Sequence, residues 1–335
     1  MMNKNKSFRP AESQFADCGA VFQNPIGTRE APDPFVTYDA KYGLYYLLFT
    51  RGRELRIYYA DKLSALRRDE QSVKVYGIEQ GDGIYGCIWA PEIHKIGDHW
   101  YIYTSGARTL DGREDRTLIV LKSNTDNPLE GFTFAGYPDP AMNAIDPTVF
   151  THSDGKLYMC YAREGRGNRI HIRKMASPTS FDGEGVLLCQ AELPWEMIPP
   201  YVGDSTIVEG PFFVKSPDGK RLFVLYSANG CWSDDYAFGV MEYKGGDLVT
   251  TANWEKDPEI LMKKGNGTYG PGHASFFYAP NGKDLYIAYH SMHESNQTVT
   301  WAPRYLHIQR VYFDETGYPY IGEPVEMGKT MKEPE

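Results

Sequence analysis

The stretch Asp146-Pro147-Thr148-Val149-Phe150-Thr151-His152-Ser153-Asp154-Gly155-Lys156-Leu157-Tyr158-Met159-Cys160-Tyr161 holds the pattern on which the fold turns. An apolar run led by an acid and a proline meets a turn containing glycine, then a run of alternating aromatic and aliphatic residues. Glycine accepts the positive φ of a tight hairpin, so the stretch predicts two antiparallel strands. The same succession occurs four more times. The second runs are Tyr45-Tyr46-Leu47-Leu48-Phe49, Trp100-Tyr101-Ile102-Tyr103, Leu222-Phe223-Val224-Leu225-Tyr226 and Leu285-Tyr286-Ile287-Ala288-Tyr289. The turns before them are Lys41-Tyr42-Gly43, Gly97-Asp98, Asp218-Gly219-Lys220 and Asn281-Gly282-Lys283. With Tyr46, Tyr101, Tyr158, Phe223 and Tyr286 taken as equivalent, the copies are spaced 55, 57, 65 and 63 residues apart.

Each copy continues into a third segment: Ile57-Tyr58-Tyr59-Ala60, Leu118-Ile119-Val120-Leu121, Ile170-His171-Ile172-Arg173, Phe238-Gly239-Val240-Met241 and Leu306-His307-Ile308-Gln309. Thr133-Phe134 and Trp254-Glu255 are candidates for a fourth strand. Five antiparallel units of about 60 residues define an all-β chain folded as a five-bladed β-propeller. Radial repetition leaves few open strand edges, and two stacked sheets would not produce a fivefold period. Asp61–Asp69 would make a short helical turn at most. The propeller is assigned to residues 24–326, with an extension over 1–23 and a tail over 327–335.

Composition narrows the partners. Lys and Arg number 35 against 44 Asp and Glu, a net charge of −9, and such a surface repels nucleic acid. The longest apolar runs, such as Gly43–Phe49, fall far short of the ~20 residues that span a membrane. Five scattered cysteines (Cys18, Cys87, Cys160, Cys189 and Cys231) form no C-x-x-C pair, which argues against zinc and against a disulfide scaffold. Reduced thiols and an N-terminus without an apolar h-region predict a cytoplasmic protein, or a periplasmic or secreted one if a leader was removed.

In a propeller the first strand of each blade lines the axis, so equivalent positions there converge on one ring. Those positions are read as Asp33, Glu92, Asp146, Glu209 and His273, spaced 59, 54, 63 and 64 apart. Proline or glycine adjoins nearly all of them, as expected at strand starts. Crowded, desolvated carboxylates split their pKa values, so that one serves as an acid while another stays ionised. Interblade hydrogen-bond plugs, above all for Glu92, and a divalent-cation cage are the competing readings. A non-catalytic binding propeller predicts no converging acids.

The motifs Pro32-Asp33-Pro34, Trp89-Ala90-Pro91-Glu92, Ile145-Asp146-Pro147, Glu209-Gly210-Pro211 and Gly270-Pro271-Gly272-His273 together resemble glycoside hydrolase family 43, from about Asn24 to Pro324. The resemblance implies inverting hydrolysis of a pentosyl linkage in an arabinose- or xylose-containing oligosaccharide. In it Asp33 is the general base, Glu209 the general acid and Asp146 the acid that raises and orients Glu209. It implies no cofactor for the chemistry. His273 is similar to an axial histidine that helps hold a structural calcium, and Arg304 to a sugar-binding arginine. Trp89, Trp232 and Tyr269 are sugar-facing candidates, with Tyr85 a weaker one.

Ala31 departs from the family pattern, in which histidine often precedes the first Asp-Pro. The loops Ile78–Ile88 and Cys189–Ser205 exceed a minimal connection and would wall the funnel, favouring exo-action. The chain stops soon after Pro324, without the C-terminal module of some xylosidases. That tilts the expectation toward α-L-arabinofuranosidase, with β-D-xylosidase as the alternative. Fructosidase-type propellers would carry an Arg-Asp-Pro and a Glu-Cys motif at the second and third acids, and neither is here.

Overall fold

The computed structural model describes residues 2–10, 14–16, 19–110 and 115–335; Cys18 lies outside them. Five four-stranded antiparallel sheets follow one another along the chain, each in sequential order. Blade 1 is Phe35–Asp39, Leu44–Leu48, Glu54–Ala60 and Ser72–Gly77. Blade 2 is Gly86–Ile96, His99–Ala107, Arg116–Ser123 and Phe132–Gly136. Blade 3 is Ala144–Thr151, Leu157–Arg163, Arg169–Ser177 and Ser180–Cys189. Blade 4 is Val208–Lys215, Leu222–Ala228, Ala237–Tyr243 and Trp254–Lys256, and blade 5 is Tyr269–Tyr278, Leu285–Met292, Tyr305–Phe313 and Pro319–Tyr320. Both candidate fourth strands are present, and the inner strand of blade 5 packs on that of blade 1 to close the ring. The turn foreseen at Asp61–Asp69 holds a 3-10 helix at Leu63–Ala65.

All five inner strands share one irregularity. In blade 3, Ile145 pairs with Ala162 and Thr148 with Cys160, so three steps on the inner strand oppose two on its neighbour. The same bulge lies between Trp89 and Glu92, Glu209 and Phe212, and Gly272 and Ser275. Blade 1 repeats it between Pro32, which accepts the Thr50 amide, and Phe35, which pairs with Leu48. Within each bulge one residue takes positive φ: Asp33 (54°), Ala90 (46°), Asp146 (55°), Gly210 (56°) and His273 (53°). A bulge bends its strand and re-aims the side chain at its apex.

These apices correct the ring read from sequence. The equivalent positions are Asp33, Ala90, Asp146, Gly210 and His273. Glu209 therefore stands one residue before its apex, and Glu92 two residues after. Alternation along a strand places Glu92 a layer deeper, level with Phe35, Thr148, Phe212 and Ser275. There it is buried, with Oε2 2.7 Å from His94 Nε2. The Phe35 and Phe212 rings, 6.1 Å apart, floor the funnel beside it.

The two chain ends meet. Val21–Gln23 pairs antiparallel with Thr330–Lys332, and Phe22 and Met331 join an apolar cluster with Val36, Tyr45, Phe277 and Ile308 of blades 1 and 5. Residues drawn in sequence as extension and tail thus form one small sheet. Further upstream, Lys4 pairs with Asp257 at 2.7 Å.

Candidate active site

Positive φ turns each apex amide away from its own sheet, and a buried amide needs an acceptor. For four of the five apices the neighbouring blade supplies it. Asp33 N–H donates to His290 Nδ1 (3.0 Å), Ala90 N–H to Thr50 Oγ1 (2.8 Å) and His273 N–H to Ser227 Oγ (2.8 Å). These three acceptors hold one place in the repeat, four residues after the aligned aromatic, where blades 2 and 3 carry Ser105 and Ala162. Alanine at 162 has no acceptor to offer. The Gly210 amide donates instead to Asp146 Oδ2, at 3.0 Å. Glycine suits this apex twice over: φ is positive, and a Cβ would lie 3.2 Å from the His273 ring.

Asp33 is held as an anion. Oδ2 accepts from Thr50 Oγ1 (2.6 Å) and Oδ1 from Arg304 Nη1 (2.9 Å). Burial alone would raise its pKa, but the charge of Arg304 above all holds it well below the usual carboxylate range. Burial, then Arg304, pushes His290 down to about 3, so its Nδ1 is a neutral acceptor for the Asp33 amide.

Asp146 and Glu209 meet the opposite conditions. Burial, then the charge of Asp33, pushes Asp146 well above its ordinary value. Burial, then the charge of Asp146, pushes Glu209 up to about 7. The two acids are coupled, and between them they retain a proton near neutral pH. Glu209 Oε2 accepts from Asn168 Nδ2 (2.9 Å) and Oε1 from the Tyr236 hydroxyl (3.0 Å). His273 stands between the two aspartates, its Nδ1 3.5 Å from Asp33 Oδ1 and 3.9 Å from Asp146 Oδ2.

Of the other residues singled out in sequence, Arg304 is in the site, and Trp232 lies beside it with its ring 5.8 Å from the guanidinium carbon. Trp89 precedes the blade 2 apex and packs on Arg116, whose guanidinium carbon is 4.7 Å from the ring. Tyr269 opens the inner strand of blade 5 opposite Met292, and Tyr85 is exposed. Sequence reasoning missed Thr50, Asn168, Ser227, Tyr236 and His290. The acceptor column was readable once the aromatic repeats were aligned. Asn168 and Tyr236 stand, like Arg304, two residues before the aligned third segments (Ile170, Phe238 and Leu306), so their position too was readable in the repeat.

Calcium takes six to eight oxygen ligands. Among the described residues, no group of three or more His, Cys, Asp or Glu side chains is placed to hold a metal ion. Nδ1 of His273 is turned to two aspartates already engaged with Arg304, Thr50 and the Gly210 amide. The residues do not fit a calcium caged by protein, and no step below uses one.

A funnel that holds one carboxylate ionised and pushes another toward its protonated form is equipped for acid/base chemistry. The model of the glycosyl hydrolases family 43 matches residues 22–319, and the chain belongs to that family. It is a glycoside hydrolase, as the sequence motifs anticipated. An extracellular exo-α-(1→5)-L-arabinofuranosidase of Streptomyces chartreusis is 31% identical, over 84% of this chain and 86% of that protein. A protein of the same name from Streptomyces avermitilis is 30% identical over 94% of this chain, which spans 66% of its length. The crystal structure of an α-L-arabinofuranosidase from Lactobacillus brevis shares the fold, with a TM-score of 0.81, 24% identity, and coverage of 92% of this chain and 98% of that one.

Proposed function

We propose that the protein is an inverting, exo-acting α-L-arabinofuranosidase that releases pentosyl residues from arabinose-containing oligosaccharides. The observation that carries the chemistry is the electrostatic contrast between Asp33 and Glu209. The names of the two Streptomyces relatives favour the sugar and the exo mode.

In this reading Glu209, protonated near neutral pH, donates its proton to the leaving glycosidic oxygen. Asp33, ionised and held by Thr50 and Arg304, takes a proton from the attacking water. Asp146 keeps Glu209 protonatable through its charge and fixes the acid's backbone through the Gly210 amide. Arg304, with one Nη on Asp33, has further donors for sugar hydroxyls. Inversion requires about 6.5–9.5 Å between base and acid to admit the water. The relatives named extracellular favour export over the cytoplasmic location that the thiols suggested.

Release of 4-nitrophenol from the α-L-arabinofuranoside and the β-D-xyloside, measured side by side, tests the sugar. The arabinoside is expected to be the better substrate; preference for the xyloside would promote β-D-xylosidase. Proton NMR of the first product formed tests the stereochemistry, and a retained anomer would end the inverting assignment.

A further inference from the structure

We propose that Tyr236 and His290 form a positioning pair that ties the general acid to the general base. The proposal rests on Glu209 being the acid and Asp33 the base. The two rings stack with centroids 5.6 Å apart and planes within 5° of parallel. Both side chains are fully buried. From one ring the Tyr236 hydroxyl donates to Glu209 Oε1 at 3.0 Å, and in the other Nδ1 accepts the Asp33 amide at 3.0 Å. The stack therefore bridges blade 4 to blade 5 and, through the amide, to blade 1.

The tyrosine has a slot cut for it. A Cβ on Gly272 would lie 1.9 Å from Tyr236 Cε1, so only glycine at 272 admits the ring where it stands. With one face on His290 and an edge over Gly272, the phenol has little freedom to swing its hydroxyl away from Glu209.

The chemistry that follows is specific. As the glycosidic oxygen takes the proton, Glu209 becomes a carboxylate, and a fixed donor to it strengthens as that charge develops. A donor held in place beforehand does not have to reorganise. Asn168 supports the second oxygen in the same way. The other groups acting on Glu209 are Asp146 from blade 3, His273 from blade 5, and Tyr201, Cys231 and Arg304 from the loops above.

The test is a leaving-group series on Tyr236→Phe, which keeps the ring and the stack and removes the donor. Hydrolysis of a poor leaving group, an unactivated arabino-oligosaccharide, is expected to fall by about tenfold or more, since protonation carries that reaction. An activated dinitrophenyl glycoside, which leaves without a proton, is expected to lose under about threefold. The alkaline limb of kcat/KM is expected to move upward by up to about one pH unit, because one of the donors that oppose burial and the charge of Asp146 is removed. His290→Gln, which can still accept the Asp33 amide but offers no platform, is expected to show the same leaving-group dependence in weaker form.

Equal losses across the series, with the alkaline limb in place, would overturn the positioning role of Tyr236. Loss in His290→Gln that ignores the leaving group would overturn the pairing. Glu209→Gln run alongside separates the two levels. If it too lacks leaving-group dependence, Glu209 is not the acid and the proposal falls with it. If it shows the dependence and Tyr236→Phe does not, only the proposal fails.

Discussion

The junction of blades 5 and 1 and the junction of blades 3 and 4 are built on the same bulge and behave oppositely. At the first, neutral His290 caps the apex amide, which leaves the Asp33 carboxylate free for Arg304 and Thr50. At the second, Ala162 offers no cap, so the carboxylate of Asp146 takes the amide itself. The acid there stands one residue off the apex, and both its carboxylate oxygens are held by uncharged donors. Repetition thus supplies the backbone, and the side chains gathered around each apex set which carboxylate stays charged.

The largest effects come from neutralising either side. Asp33→Asn and Glu209→Gln are each expected to lose on the order of 10²–10⁴-fold in kcat on an oligosaccharide. Both variants should keep the wild-type far-UV spectrum. An unfolded Asp33→Asn protein would mean that the anion holds the ring together rather than serving as base. Near-wild-type hydrolysis by Glu209→Gln would remove the contrast on which the function rests.

Next is Arg304→Ala, which takes away the strongest favourable partner of the Asp33 charge. The base works only when ionised, and its pKa in the folded protein is held down. Losing Arg304 raises that pKa, so the acidic limb of kcat/KM should move to higher pH and activity should disappear first at low pH. The alkaline limb, set on the other side of the funnel, should move far less; equal movement of both limbs would show that the two junctions are not independent.

Ala162→Ser sharpens the comparison by giving the acid side the cap it lacks. The new hydroxyl is expected to take the Gly210 amide and release Asp146. Without that donor Asp146 holds its proton more readily, and its charge no longer raises Glu209. The alkaline limb should then move downward, with a loss of about tenfold at neutral pH. A crystal structure of the variant checks the exchange directly; Asp146 still bound to Gly210 would show that the cap does not decide the arrangement.

The smallest effect is expected from chelation. EDTA should change the melting temperature little, because no protein cage surrounds His273 among the described residues. A drop of several degrees that calcium reverses, and that His273→Ala abolishes, would instead make His273 the single protein ligand of a hydrated ion.

Much of this was legible before the structure. Hairpin turns and aromatic runs mark the five blades because a strand pair needs both, and Asp33, Asp146 and Glu209 stood out as acids in apolar surroundings. The register of the ring was not legible. Asp33 and Asp146 precede proline directly, whereas Glu209 and Glu92 stand on opposite sides of a Gly-Pro or Ala-Pro step. Only positive φ at Gly210 and Ala90 shows which residue is the apex. Arg304 was found through its motif. Tyr236 was not, because its importance comes from the stack on His290 and the slot at Gly272, and neither is adjacent to it in sequence.

The five apices have a consequence for heat tolerance. Four of them are not glycine, and each such residue in the left-handed region stores about 1–3 kcal/mol of strain, a sizeable share of a domain's net stability. One of the four, Asp146, is also a buried acid set against the charge of Asp33. Relaxing it relieves backbone and electrostatics together while removing a group on which the proposed chemistry depends. A screen that rewards survival at high temperature alone will therefore drift toward inactive rings, and thermal selection on this scaffold has to be coupled to turnover from the first round.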